Sequence, residues 1–500
     1  MADRLGVMTG DDKSTLPARF EPLFLPRTVA VVGASTKGSA LANLFIRRIL
    51  DFGYAGAVYP IHPSAETIEG LAAYRHLSDT PQPVDYAYVA IPAAQVPQLL
   101  AAAGGHVRYA QVISSGFGES ADGKQLEKDL VDAADAGGLR LLGPNCMGIY
   151  SPRGKITYTE VASAETGGVG VVSQSGGLAT DIIRRGLVRG VKFSGVVSIG
   201  NSADLNAIDL LEFYLADDQT KVIGLYVESS KGGRRLFETL REARAAKPVV
   251  ILKGGRSADG AAAAASHTGS LAADSRVWDA LTRQTGAVLV ETLNEFIDVL
   301  LAFSCLSPTP ERPTQHVVLF GNGGGASVLG VDAFARAGLR VARFGQSTLD
   351  ALSTFKSSPG TSIENPIDAP VGTMQQNDGR VAEQILDAVL ETARPHAVVM
   401  HLSMPAFAGR TKAEVLDNLI AAALRARSRH PQSGHFLLVL RSDGNVRIDE
   451  RKREFRDRAV ALGIPVFDEL EDAARCLAAM SFYERFVYSR TNSPGCSPSR

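Results

Sequence analysis

The 500-residue chain is poor in several things that would each announce a function. It has four cysteines, at 146, 305, 476 and 496, and no CxxC pair. That spacing excludes a disulfide framework or a zinc ribbon and points to no metal site, and it fits a reducing, cytoplasmic setting. The formal net charge is -1, so no basic field draws nucleic acid or an anionic membrane. No apolar run is long enough to span a bilayer, and the opening MADRLGVMTGDDKST lacks the apolar stretch of a secretory signal. Tryptophan occurs once. Glycine, by contrast, occurs 49 times, and many of these residues directly follow short apolar runs.

Those runs set the fold class. TVAVVGAS, GAVYPIH, VDYAYVAIPA, YAQVISSGF and LRLLGPN read as buried strands, with helical patterns such as ALANLFIRRILDFG and DGKQLEKDLVDAADAG between them. Strand and helix in alternation imply βαβ units on a parallel sheet. The grammar recurs after a break near residue 150, and again after the proline-rich SPTPERP at 307–313. The expectation is an α/β chain of three consecutive Rossmann- or flavodoxin-like domains with mainly parallel sheets. Their expected bounds are 21–150, 166–306 and 314–485, with flexible tails at 1–20 and 486–500.

Three glycine corners stand out. In VAVVGASTKGSA a strand runs into Gly33 and a helix opens near Ser39. Amide groups at such a turn, with the helix dipole, favour an anion, and Lys37 adds a cation. The spacing is not GxGxxG, and the next strand ends in His62-Pro63 with no acid for a ribose. A nucleotide-like ligand other than NAD fits the turn, as does a purely structural corner. VSQSGGLATDI and LFGNGGGASVLGV repeat the device. Ser173, Ser175, Gly176 and Gly177 at the first, and Asn322, Gly323, Gly324 and Gly325 at the second, suit either phosphate or tight helix–sheet packing.

Two residues suggest chemistry. Glu228 closes the apolar run KVIGLYVES, at the end of a strand where parallel sheets place their ligands. It could orient an imidazole or could be a solvated loop acid. His267 sits in GAAAAASHTGSLA, on an arm of small side chains. It suits a phosphoryl carrier, and equally a surface or helix-capping histidine.

Taken together the motifs VVGAS, YPIHP, VAIPA, SSGFGE, GPNCMG, SQSGGLA, SIGNSADL, GGRS, NGGGAS, ENPID and above all SHTGSLA resemble the α part of the NDP-forming acyl-CoA synthetases, which include ADP-forming acetyl-CoA synthetase and are related to succinyl-CoA synthetase. The resemblance covers about residues 21–485. It implies an acid–CoA ligase that interconverts carboxylic acid, CoA and ATP with acyl-CoA, ADP and phosphate through acyl phosphate and phosphohistidine. It implies coenzyme A on Gly33, Ser35, Lys37, Pro60, Pro92, Ser115, Gly116 and Asn145, with Pro60 and Pro92 at strand ends lining the cleft. His267 would be the phosphorylated residue and Glu228 its partner, with phosphate held at residues 173–177 and 322–325. It further implies an ATP-grasp β subunit carrying nucleotide and Mg²⁺, in an α2β2 assembly. Cys146 reads as packing or pocket lining. Asn206 stands where the family often has an acid, and Ala273 where it has glycine. The alternatives on the same fold are a CoA-dependent acyl or carbamoyl transferase and a non-catalytic CoA-binding regulator.

Overall fold

The computed structural model describes residues 10–120, 122–228, 232–268, 275–357, 360–407, 413–430 and 433–491. The chain divides into two compact units. The first runs up to Leu187 and over Val191–Leu293; the second takes Val188–Gly190 and the chain from Asn294 on.

Unit 1 begins with helix α1 (Gly10–Phe24) and carries two sheets. The first holds β1 (Thr28–Val32), β2 (Ala57–Ile61), β5 (Val84–Val89), β6 (Val107–Val112) and β7 (Arg140–Leu142), in the order β2-β1-β5-β6-β7 and parallel throughout. A hairpin of β3 (Thr67–Ile68) and β4 (Leu71–Ala72) follows β2. Helices α2 (Leu41–Asp51), α3 (Val96–Ala101) and α4 (Lys124–Ala136) form the crossovers. Strands β1 and β5 are buried at every residue, because helices cover both faces.

The second sheet runs β13-β12-β11-β9-β10-β8. Its strands are β8 (Gly148–Tyr150), β9 (Val169–Ser173), β10 (Phe193–Ser198), β11 (Val222–Val227), β12 (Val249–Lys253) and β13 (Val288–Val290), and only β8 is antiparallel. Its helices are α5 (Gly176–Arg189), α6 (Ala207–Ala216), α7 (Gly233–Ala243), α8 (Ala258–Thr268) and α9 (Ser275–Thr285). One continuous apolar core serves both sheets, from Phe20, Phe24 and Tyr109 to Phe213 and Leu225.

Unit 2 opens with α10 (Leu293–Cys305). Its parallel sheet is β15-β14-β16-β17-β18, made of β14 (Val317–Gly321), β15 (Ile367–Asp368), β16 (Ala397–Ser403), β17 (His435–Arg441) and β18 (Val466–Phe467). Helix α11 (Gly324–Arg336) follows β14 directly. No described helix is long and apolar enough to cross a membrane.

The structure differs from the expected tails at both ends. Residues 10–20 are not a tail but part of α1, whose Leu16, Phe20, Leu23 and Phe24 are buried at i, i+4, i+7 and i+8 spacing. Two prolines inside this helix, Pro17 and Pro22, and its polar first turn conceal that spacing. Residues 1–9 of the expected tail lie outside the described residues. Likewise 486–491 continue the helix Leu470–Thr491, while 492–500 lie outside the description. The division into compact units falls between Leu293 and Asn294, so that α10 packs with unit 2. Helix α10 buries eight consecutive residues from Phe296 to Phe303, and the Phe303 ring meets Tyr483 edge-on at 5.5 Å, which ties the helix to unit 2.

Candidate functional site

In a doubly wound sheet, ligands collect beyond the carboxyl ends of the strands, where the chain reverses its direction of winding. The first sheet has this point between β1 and β5. Gly33 lies there at φ +96°, and a Cβ on it would stand 2.2 Å from the carbonyl oxygen of Ala90, so glycine alone lets the two strand ends converge. Around the turn, Ser35 Oγ accepts the Lys37 amide at 3.1 Å, and Asn43 clamps Ser35 through both backbone groups at 2.7 and 2.9 Å. The capping position of α2 is Ala40, which supplies no side-chain acceptor. The first amides of that helix therefore lack a side-chain partner at this end, and exposed Lys37 is nearby. This corner suits the phosphates of a CoA-like ligand.

The sequence reading found no acid after β2, yet the hairpin brings Glu69 to the turn. Its carboxylate accepts from Asn43 at 2.8 Å and from Arg47 at 2.6 Å, and Arg47 also donates to Gly38 O. Of the other expected CoA residues, Pro92, Ser115, Gly116 and Asn145 are exposed in the loops after β5, β6 and β7. Pro60 differs from expectation. It is buried within β2, opposite Val31, and is not at the strand end. Strand β2 is the sheet's edge, the one place where a residue without an N–H is tolerated.

The second sheet reverses between β9 and β11. Ser173 ends β9, and α5 starts three residues later. Ser173 is wholly buried and its hydroxyl donates to the Ser175 carbonyl at 2.8 Å, which braces the corner. Ser175 Oγ accepts the Leu178 amide at 3.3 Å. A Cβ on Gly176 would lie 2.7 Å from Met147, while one on Gly177 would meet nothing within 4 Å. The opening amides of α5 thus stand at an accessible helix N-terminus.

Glu228 follows β11 immediately, and Gln174 sets its position. The Gln174 amide donates to Tyr226 O at 3.1 Å, and its side-chain oxygen accepts the Glu228 amide. The Tyr226 hydroxyl donates to Glu228 Oε1 at 2.8 Å; burial, then the neighbouring carboxylate, raise its pKa. Buried Lys253 donates to Glu228 O at 2.9 Å. Burial lowers the pKa of that ammonium, against the pull of Glu228.

Ser175, Gly176, Gly177, Glu228 and Asn145 line one cavity of about 580 Å³ in unit 1. Its polar wall also holds residues the sequence reading did not single out. Asn201 donates to Glu127 at 2.8 Å and to Glu119, and Glu119 accepts the Gly116 and Phe117 amides. Burial works against ionisation of Glu119, but these hydrogen bonds outweigh it and its pKa falls. Only their place in SSGFGE and SIGNSADL could have marked them. Cys146 also lines the cavity, and burial pushes its thiol up to about 12, which agrees with packing and not with nucleophilic use. Asn206 caps α6, its side chain accepting the Ile208 and Asp209 amides, a task an acid could equally perform.

The backbone of His267 lies in the last turn of α8; its ring, its expected contact with Glu228 and residues 269–274 of the arm lie outside the described residues.

In unit 2 the reversal falls between β14 and β16. Asn322 accepts the Ser403 amide at 2.8 Å, and Gly323 takes φ +108°. The Gly323 amide already donates to Asp368 Oδ1 at 2.9 Å, and a Cβ on Gly324 would lie 2.9 Å from Asp368 Oδ2. A Cβ on Gly325 would meet nothing. A carboxylate therefore stands at this helix N-terminus, and Arg441 flanks it by donating to Asn322 O at 2.9 Å. ENPID carried the signal for Asp368; Arg441 had none. Among the described residues no group of three or more acidic, histidine or cysteine side chains could hold a metal ion.

Known proteins are similar to this chain in sequence and fold. Residues 27–152 match a CoA binding domain, and residues 166–303 match the succinyl-CoA ligase-like flavodoxin domain. The chain is 33% identical over 460 residues to the α subunit of ADP-forming acetate–CoA ligase II of Pyrococcus furiosus, covering 91% of this chain and 96% of that one. It is 30% identical over 487 residues to the ADP-forming 4-hydroxybutyrate–CoA ligase of Nitrosopumilus maritimus, covering 95% of this chain but 65% of that longer one. Among solved structures, the dinucleotide-forming acetyl-coenzyme A synthetase 1 of Ca. Korarchaeum cryptofilum, in complex with phosphate and ADP, superposes with a TM-score of 0.81 at 28% identity, covering 95% of this chain and 99% of that one. At this identity and coverage, the chain belongs to the NDP-forming acyl-CoA synthetase family, alongside the α subunits of the ADP-forming acetate–CoA ligases.

Proposed function

We propose that the chain is the α-type part of an acid–CoA ligase that forms acyl-CoA, ADP and phosphate from a carboxylic acid, CoA and ATP, and that works reversibly. The observation that carries this reading is the cavity where the N-terminus of α5 and Glu228 meet the Asn145 loop of the CoA-binding part. In the synthetic direction, an imidazole nitrogen of His267 forms the P–N bond as the bond from the γ-phosphorus to ADP breaks. The acid's carboxylate then takes the phosphoryl group, giving acyl phosphate and free imidazole. The CoA sulfur attacks the acyl carbon, phosphate leaves, and the thiol proton goes to solvent or to phosphate. Phosphoryl transfer needs mainly positioning and charge stabilisation. The Gly176 and Gly177 amides suit the phosphate oxygens, and Glu228 suits an imidazole N–H. Coenzyme A would lie at the Gly33–Lys37 corner.

Nucleotide and Mg²⁺ belong, in this reading, to an ATP-grasp β subunit in an α2β2 assembly. Its support is that the 4-hydroxybutyrate–CoA ligase is longer and is matched over 65% of its length, whereas the P. furiosus α subunit is matched over 96%. The test is labelling from γ-labelled ATP with the β chain present. The wild type should acquire an acid-labile, base-stable phosphate, and His267→Ala none. Equal labelling of both would defeat the assignment.

A further inference from the structure

Strand β12 is buried along its whole length, yet it ends in a lysine. Lys253 is 5% exposed and follows four apolar residues, Val249 to Leu252. An ammonium is costly to bury unless groups around it replace the lost water. Here Nζ donates to the Glu228 carbonyl at 2.9 Å and to the Gly254 carbonyl. It also stands 5.8 Å from the centre of the Trp278 ring, which is part of the wall of the unit 1 cavity. Both carbonyls belong to residues just past a strand end, Glu228 after β11 and Gly254 after β12.

The ladder between these strands ends at the pair Val227 and Lys253, with the Gly254 amide donating to Val227 O at 3.0 Å. Beyond it, one chain carries Glu228. The other passes through Gly255, at φ +75°, and Arg256, which reaches Asp279 at 3.3 Å, into α8, whose last turn holds the backbone of His267. The ammonium bridges this fork. Two more contacts fix the acid within it. The Tyr226 hydroxyl donates to Glu228 Oε1 at 2.8 Å. A Cβ on Gly254 would stand 2.8 Å from that hydroxyl and 3.3 Å from Glu228 Cγ, so glycine lets the fork close on the pair.

We propose that Lys253 is a positioning residue for phosphoryl transfer: by joining the Glu228 carbonyl to the strand end that leads into α8, it fixes the Glu228 carboxylate relative to the root of the histidine arm. An apolar side chain would fill the same space at the end of β12 without joining the two ends. The inference rests on the ligase reading above, in which Glu228 partners the His267 imidazole.

The test is a double-mutant cycle on the full chain with the β chain present, read as the rate of His267 labelling from γ-labelled ATP. Lys253→Met keeps the stem and removes the ammonium. It should lower the maximal labelling rate about 30-fold, the size of a lost hydrogen bond from a charged group. The ATP concentration at half-maximal rate and the CoA affinity should stay within about twofold, because the loss lies in the reacting geometry and not in binding. The melting temperature should hold or rise, since an apolar residue replaces a buried charge. In a Glu228→Gln background the same substitution should cost less than about threefold, because residues that act through one another do not add. A variant that no longer binds CoA is misfolded, and Lys253→Gln then takes its place in the same cycle. A labelling rate within about twofold of the wild type, or losses that simply add in the double variant, would overturn the inference. Absence of labelling in the wild type would instead defeat the ligase reading.

Discussion

At the scale of single residues, Glu228 and His401 make separate predictions. Glu228 is held by Tyr226 through its side chain and by Gln174 and Lys253 through its backbone. Replacing its carboxylate by an amide keeps the shape and removes the charge that would favour an imidazolium. Glu228→Gln should therefore slow His267 labelling on the order of 10²-fold while CoA affinity is unchanged; rapid-quench labelling checks it. His401 is fully buried on β16, with Nε2 3.1 Å from Ser327 Oγ and Nδ1 unpaired. Burial, then Arg441, push its pKa down to about 4 from 6.5. The folded ring stays neutral while the unfolded one takes up a proton, so its contribution is whole above pH 6.5 and lost as pH falls towards 4. The shift corresponds to roughly 3 kcal/mol. Urea midpoints between those pH values should fall less steeply in His401→Gln, and parallel slopes would refute this. The sequence made Glu228 legible because a strand end is a local pattern. It could not mark Gln174 or Lys253, whose roles depend on β9, β11 and β12 lying side by side.

Among the elements, α1 and the β1 corner carry most of the consequence. Phe24 of α1 stacks on Phe213 at 4.3 Å and meets Tyr214 edge-on, while Phe20 of the same helix stacks on Tyr109 of β6. One helix therefore joins the cores of both sheets in unit 1. Phe24→Ala should cost about 3–5 kcal/mol, as a deleted core ring does, and denaturant unfolding of the full chain measures it. At the corner, Gly33→Ala would set a Cβ against Ala90 O and force a non-glycine residue to φ +96°. It should weaken CoA binding at least tenfold and lower stability by about 1–3 kcal/mol; calorimetric titration with CoA reads the first. The corner was visible in the sequence as strand, glycine and helix. The helix α1 was not, because its buried residues are paired with rings distant in the chain.

For the molecule as a whole, two compact units contain three sheets of one design. Each sheet reverses its winding beside a glycine corner, and each corner lies just past a strand end. If nucleotide handling belongs to a β subunit, ATP-dependent thioester formation by this chain alone should stay at background and rise at least 10²-fold when that subunit is added. Robust synthesis without it would contradict the assembly proposed above.

The sequence by itself determined the alternation of strand and helix, the three glycine corners and the motif set that places the chain in its family. These are local features: a buried parallel strand needs a continuous apolar run, and a tight strand-to-helix turn needs glycine. Only the tertiary structure decided that α1 belongs to the core, that α10 belongs to unit 2, that Asp368 already meets the amide of Gly323, and that Trp278 walls the cavity that Glu228 enters. Each of these brings together residues far apart in the chain. Such contacts follow from how elements pack, and no short stretch of sequence contains both partners.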